Sequence, residues 1–210
     1  MSRRGQIRFL SRTARLYDPV VRAMGFRRLW DEVAERALSV SDGPYLDVCT
    51  GTGGVALALA RRGASTVGLD LAPGMLARAR RKARVAAVES RLTFVRMDAR
   101  SMGFPDRSFG LVTCTMALHE MAEPERRQVL GELRRVARER VLVADYRVPE
   151  GAWGAALFRL TRAFEYLESD DFESYAGRDF RARLRGAGLA ADPPWDMGSY
   201  RIWPCRVDAT

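Results

Sequence analysis

Three aspartates, Asp47, Asp70 and Asp98, each stand inside or at the end of a short apolar run, and a glycine-rich turn follows the first of them. Glycines in such a turn let the backbone approach a ligand with no Cβ in the way, although the same cluster also serves a tight turn that binds nothing. Gly51-Thr52-Gly53-Gly54-Val55-Ala56 satisfies the G-x-G-x-x-A dinucleotide fingerprint, with Asp70 about 20 residues downstream. An NAD-linked oxidoreductase is therefore one reading. The carboxylates favour another. Asp47 lies four residues before Gly51; it would repel a pyrophosphate, but it can organise a loop that holds the ammonium and sulfonium cations of S-adenosylmethionine. Asp70 can accept hydrogen bonds from both ribose hydroxyls of either cofactor. Asp98 can accept the adenine amino group while the backbone N–H of Ala99 donates to the ring.

A second set of residues suits the acceptor side. His119 is the only histidine, and an imidazole titrating near pH 6.5 suits a base at neutral pH; a loop histidine bonded to backbone is the plainer alternative. Glu120 can orient that ring, or serve as a first-turn acid favoured by a helix dipole. Cys114, inside Leu-Val-Thr-Cys-Thr-Met, reads as a packed strand thiol rather than a nucleophile. Tyr17, Arg22 and Phe26 form a leader that can close over a site or simply anchor a helix. Phe164, Tyr166, Leu167, Phe172 and Tyr175 can wall an apolar acceptor pocket, or be the apolar face of a packed helix.

The elements that must position these groups alternate along the chain. Residues 7–39 read as two helical segments broken at Asp18-Pro19, because proline disfavours helix at the residue before it. Strands are expected at Tyr45–Cys49, Ser65–Asp70, Leu92–Met97, Phe109–Thr115 and Val141–Asp145. Helices Val55–Arg62, Gly74–Ala87 and Glu123–Val136 separate them, with a loop through Gly103 and Pro105 before the fourth strand. That alternation indicates βαβ units around a parallel sheet, with right-handed crossovers placing helices on both faces. The last third reads as helices near 152–167 and 178–187, then strands Leu189–Trp195 and Tyr200–Val207 forming an antiparallel edge pair.

Composition bounds the rest. A chain of 210 residues suits one α/β domain: a helical leader or lid over 1–40, a cofactor-binding core over 41–146, and acceptor-side helices with a strand pair over 147–210. No apolar run approaches the roughly 20 residues that cross a bilayer, and the start lacks the apolar stretch of a secretory signal. Three scattered cysteines, Cys49, Cys114 and Cys205, argue against a disulfide framework or a metal site and fit a reducing cytoplasm. The net charge of +9 raises nucleic acid as a partner, yet Lys82 is the only lysine and every other cation is arginine, which points to compositional bias instead. Arg3, Arg4, Arg8, Arg12 and Arg15, interleaved with apolar residues, can rest on an anionic membrane or form a frayed terminus.

LDVCTGTGG, VGLDLAPGMLARAR, MDARSMGFPDRSFGLVTCTMALHEM and the YDPVVRAMGFRRLW leader resemble the class I S-adenosylmethionine-dependent methyltransferases. Within them they resemble most the carbon-methylating enzymes of ubiquinone and menaquinone biosynthesis. The resemblance runs from about residue 9 to about residue 190. It implies a doubly wound, mostly parallel seven-stranded sheet with an antiparallel C-terminal strand. It places Thr52 with Gly51 and Gly53 at the methionine end of the cofactor, Asp70 at the ribose, Asp98 with Ala99 at the adenine, and Thr115 near the reacting centre. Asp47, Thr50, Leu71, Met75 and Met116 complete the expected cofactor-binding set; Tyr17, Tyr166 and Tyr175 are the expected acceptor-side aromatics. The chain departs from that pattern at Cys49, where most class members have glycine, and at Gly54 and Gly110, where acids are usual. It also has His119-Glu120 for a usual Arg-Asn pair, and no glycine pair before the fifth strand. The expectation is methyl transfer to a small aromatic or lipid-like acceptor such as a quinol, with His119 as base, no metal and an open oligomeric state. A non-catalytic S-adenosylmethionine-binding partner subunit is the other alternative.

Overall fold

A computed structural model describes residues 25–147, 175 and 179–207. Five strands, β1 (Tyr45–Val48), β2 (Thr66–Asp70), β3 (Leu92–Arg96), β4 (Phe109–Thr115) and β5 (Ala137–Tyr146), run parallel in the order β3-β2-β1-β4-β5. The central strands β1 and β4 are buried on both faces, as the middle of a parallel sheet requires. The chain then reverses. β8 (Tyr200–Val207) pairs antiparallel with β5, and its other edge takes β6 (Leu189–Ala191) and β7 (Trp195–Met197).

Among the described residues the sheet therefore has eight strands rather than the expected seven. The segment expected as one strand over Leu189–Trp195 is cut by Asp192-Pro193-Pro194. Two prolines in succession offer no N–H to a ladder. Pairing with β8 resumes at Trp195 one residue out of register, from Ala191↔Cys205 to Trp195↔Ile202.

Helix α1 (Phe26–Val40) follows Gly25, and α2 (Gly54–Arg61), α3 (Pro73–Val85), α4 (Glu123–Val136) and α5 (Phe180–Gly186) follow in chain order. The strands divide their side chains between two layers, as a period of two demands. Leu46, Val48, Val112, Val141 and Val143 pack with Val129, Leu130, Leu133 and Val136 of α4. Leu111, Leu142 and Ala144 pack on the opposite face with Leu29, Val33 and Ala37 of α1 and Val55 and Leu59 of α2. Each fully buried aliphatic side chain contributes about 1.5–3 kcal/mol, and the two layers hold the strand ends in a fixed row. Cys49, Cys114 and Cys205 are free thiols, with Cys114 in the core as expected.

Candidate functional site

Strand order reverses beside β1: β2 and β3 continue to one side and β4 and β5 to the other. In an open α/β sheet the crevice at that reversal, outside the carboxyl ends of the strands, is where ligands bind. The glycine turn after β1, Asp70, Asp98-Ala99, Thr115-Met116 and Asp145 all come at those carboxyl ends.

Asp47 is buried and works from beneath the turn. Its Oδ2 accepts the Thr50 hydroxyl at 2.5 Å and the Ala56 N–H at 3.2 Å, and its Oδ1 accepts the Thr113 hydroxyl at 2.8 Å. One carboxylate thus joins the turn, the start of α2 and β4. Burial pushes it up to about 6, against the opposing pull of those hydrogen bonds. Asp70 remains partly exposed; its Oδ2 accepts Gly51 N–H and its Oδ1 accepts Ala72 N–H, both at 2.8 Å. It therefore ties the end of β2 to the glycine turn, and burial raises its carboxyl as well. Gly51 has a φ of +54° and nothing within 4 Å of where a Cβ would stand, so its backbone faces open space.

The remaining expected residues divide. Thr52 is buried and its hydroxyl accepts from Lys82 Nζ at 3.0 Å. Thr50 and Met75 are buried, while Leu71 is partly exposed. Ala99 is buried, and Asp98 is held by Arg100, whose Nη2 lies 2.8 Å from Asp98 Oδ2 and whose Nη1 lies 2.9 Å from Glu125. Arg100 is a neighbour that the strand-end reading of Asp98 did not include. Cys49 and Met116, next to the ends of β1 and β4, are left-handed at φ of 57° and 54°, a conformation that non-glycine residues adopt at a cost and often at functional sites.

Two departures in the sequence have structural causes. A Cβ on Gly54 would stand 2.4 Å from the Trp30 indole of α1, so the aromatic ring occupies the room an acid there would need. A Cβ on Gly110 would stand 2.5 Å from the Gly43 carbonyl oxygen, and Gly110 N–H donates to Pro44 O at 2.9 Å.

On the acceptor side, His119 lies in a single 3₁₀ turn, Leu118–Glu120, directly after β4. Its ring is nearly buried, and Nδ1 lies 2.7 Å from Asp145 Oδ1, while Nε2 lies 3.9 Å from Glu120 Oε1. The orienting carboxylate is thus Asp145, on β5, and not the neighbouring Glu120. Tyr146 meets the imidazole edge-on at 4.8 Å between ring centres, and Tyr175 stands at 6.3 Å. Tyr175 is buried and donates its hydroxyl to the Tyr146 carbonyl at 3.2 Å, so it backs the imidazole from the core. Tyr146 stacks on Tyr200, which meets Phe26 at 5.3 Å. Tyr17, Tyr166 and the basic leader lie outside the described residues.

The donor set fits S-adenosylmethionine. Thr115 Oγ1 is buried with no hydrogen-bond partner among the described residues, and buried hydroxyls are seldom left so. Gly51 offers open backbone and Asp70 a partly exposed acceptor along the same row of strand ends.

Fold and site together define an S-adenosylmethionine-dependent methyltransferase, and S-adenosylmethionine is its cofactor. The methyltransferase-domain family model matches residues 46–140. The demethylmenaquinone methyltransferase of Thermus thermophilus is 39% identical over 152 residues, covering 69% of this chain and 67% of that protein. The ubiquinone/menaquinone biosynthesis C-methyltransferase of Geobacter sulfurreducens is 31% identical over 196 residues, covering 82% and 76%. The chain belongs to the family of these quinone-biosynthesis methyltransferases. Among solved structures, magnesium protoporphyrin IX methyltransferase from Synechocystis PCC 6803 with bound S-adenosylhomocysteine shares the fold, with a TM-score of 0.68, 19% identity and coverage of 88% and 84%. These comparisons support methyl transfer over the NAD-linked reading of the glycine fingerprint.

Proposed function

We propose that this chain methylates a small aromatic acceptor of the hydroquinone type, with His119 accepting the proton that the acceptor loses. The observation that carries the reading is a buried imidazole, the chain's only one, set directly after β4 and beside Thr115 and Met116. The relatives named for demethylmenaquinone and for ubiquinone and menaquinone supply the acceptor class. When bound, S-adenosylmethionine supplies a methyl group made electrophilic by a sulfonium, and its displacement needs no protein nucleophile. Asp70, Asp98 with Ala99, and Thr52 with Gly51 and Gly53 would hold it. Alignment of the two reactants can supply roughly 7–11 kcal/mol. Removal of one proton makes a phenol oxygen, or the ring carbon beside it, the better nucleophile, and His119 Nε2 takes that proton.

The test incubates the protein with S-adenosylmethionine and a soluble short-chain hydroquinone and follows the methylated product by mass. His119→Ala is expected to lower the rate by about 10²–10⁴, with the loss shrinking as pH rises and the acceptor ionises unaided. Wild-type rates in that variant across the neutral range would remove the base.

A further inference from the structure

We infer that Asp145 is the positioning residue of this site: it holds His119 in the neutral tautomer with the proton on Nδ1, so that Nε2 presents the lone pair toward the acceptor. The catalytic consequence rests on the reading of His119 as base; the tautomer itself does not.

The geometry comes from one buried carboxylate, three backbone N–H donors and the imidazole. Asp145 Oδ2 accepts the backbone N–H of Leu118 at 3.1 Å and of His119 at 3.2 Å, while Oδ1 accepts the Tyr146 N–H at 2.8 Å and lies 2.7 Å from His119 Nδ1. A carboxylate facing three backbone donors acts as acceptor only, so the hydrogen in the 2.7 Å contact belongs to Nδ1. A neutral imidazole carries one N–H, which leaves Nε2 unprotonated. The hydrogen bond that one ring nitrogen makes sets the protonation of the other.

The support is rigid on every side. Asp145 is buried on β5, paired with Arg201 of β8, and its neighbour Ala144 pairs with Thr115 of β4. Arg126 of α4 holds the turn from its far side, donating Nε to Leu118 O at 2.9 Å and Nη2 to Met121 O at 2.6 Å. The same guanidinium lies over the Tyr175 ring at 5.4 Å. Among the described residues, Asp145, Glu120, Tyr146 and Tyr175 meet the imidazole, and Arg126 lies behind it over the Tyr175 ring. Burial pushes the Tyr175 phenol well up, with Asp145 adding to the effect, so it stays protonated through the neutral range. Glu120 is about half exposed, and 3.9 Å from Nε2 is too long for a hydrogen bond.

Because His119 is the only histidine, nitrogen-15 correlation spectra of the ligand-free protein report one imidazole. The expected wild-type spectrum places the neutral-form proton on Nδ1. Asp145→Asn should reverse this: the two backbone N–H groups facing Oδ2 draw the amide oxygen, turning the NH₂ toward Nδ1 and driving the ring proton to Nε2. Loss of the carboxylate charge also removes a neighbour that favours the protonated ring. The acid limb of kcat/KM should move down accordingly, and turnover should fall about 10²-fold or more. Glu120→Gln should leave the tautomer as it is. A wild-type proton on Nε2 would overturn the assignment, as would Asp145→Asn keeping both tautomer and acid limb. If that variant does not fold, the wild-type spectrum alone decides. The expected tautomer together with full turnover in His119→Ala would uphold the role of Asp145 and sink the base instead.

Discussion

Asp47 shows how a residue can be read correctly as a site residue and still act indirectly. All its hydrogen bonds go to Thr50, Ala56 and Thr113, so it shapes the turn that meets the ligand. Its carboxyl rises from an ordinary 3.8 to about 6 through burial. A carboxyl raised in the folded state contributes stability that is complete below its unfolded pKa and is lost as pH rises through the folded one. Ligand-free protein should therefore lose denaturant resistance between about pH 4 and 6, and Asp47→Asn should lack that component. Identical profiles for the two proteins would show that Asp47 is ionised in the fold at no cost. The acids at 47, 70 and 98 were legible in the sequence because each ends or interrupts an apolar run. Asp145 was not, since Val-Leu-Val-Ala-Asp-Tyr reads as one more buried strand, and nothing local shows that its end lies beside His119. Arg100 was hidden for the opposite reason: an exposed-looking arginine two residues past Asp98 reads as solvated surface, yet it spans Asp98 and Glu125.

Among the elements, the strands and the helices between them were readable from periodicity to within a few residues, and the glycine turn lies where it was expected. The contact between α1 and the turn was not readable. Trp30 is distant in sequence from Gly54, and only folding shows that the indole fills the space over that glycine. The room is specific enough to test. Gly54→Ala puts a methyl into the Trp30 ring and should destabilise the protein by about 1–3 kcal/mol. Adding Trp30→Ala should make that further methyl nearly neutral, a coupling a double-mutant cycle in denaturant would measure. Equal costs in both backgrounds would mean the indole moves aside freely. Gly110→Ala should find no such relief, because its obstacle is the backbone carbonyl of Gly43. At the other end of the sheet, Pro193-Pro194 was visible in the sequence, but its effect on strand count required knowing that β8 offers pairing on both sides of the break.

At the scale of the whole molecule, the net charge of +9 does not amount to a free basic surface, in keeping with its reading as compositional bias. Many described arginines are engaged: Arg135 with Glu132 and Asp106, Arg140 and Arg206 with Asp192, Arg201 with Asp196. Among the described residues no helix is long and apolar enough to cross a membrane. Cofactor binding should register as global stability. S-adenosylhomocysteine at a hundred times its dissociation constant should add about 2.7 kcal/mol and raise the melting temperature, whereas NAD at the same concentration should leave it unchanged. A rise with NAD alone would return the glycine fingerprint to its other meaning. The left-handed Cys49 and Met116 bear on endurance. Each such residue costs roughly 1–3 kcal/mol, against a total margin of roughly 5–15 kcal/mol for a domain. A chain shaped only to outlast heat would carry glycine at both places; this one keeps sulfur-bearing side chains there, packed against the core at the ends of β1 and β4, and so gives up thermal tolerance in the row of strand ends.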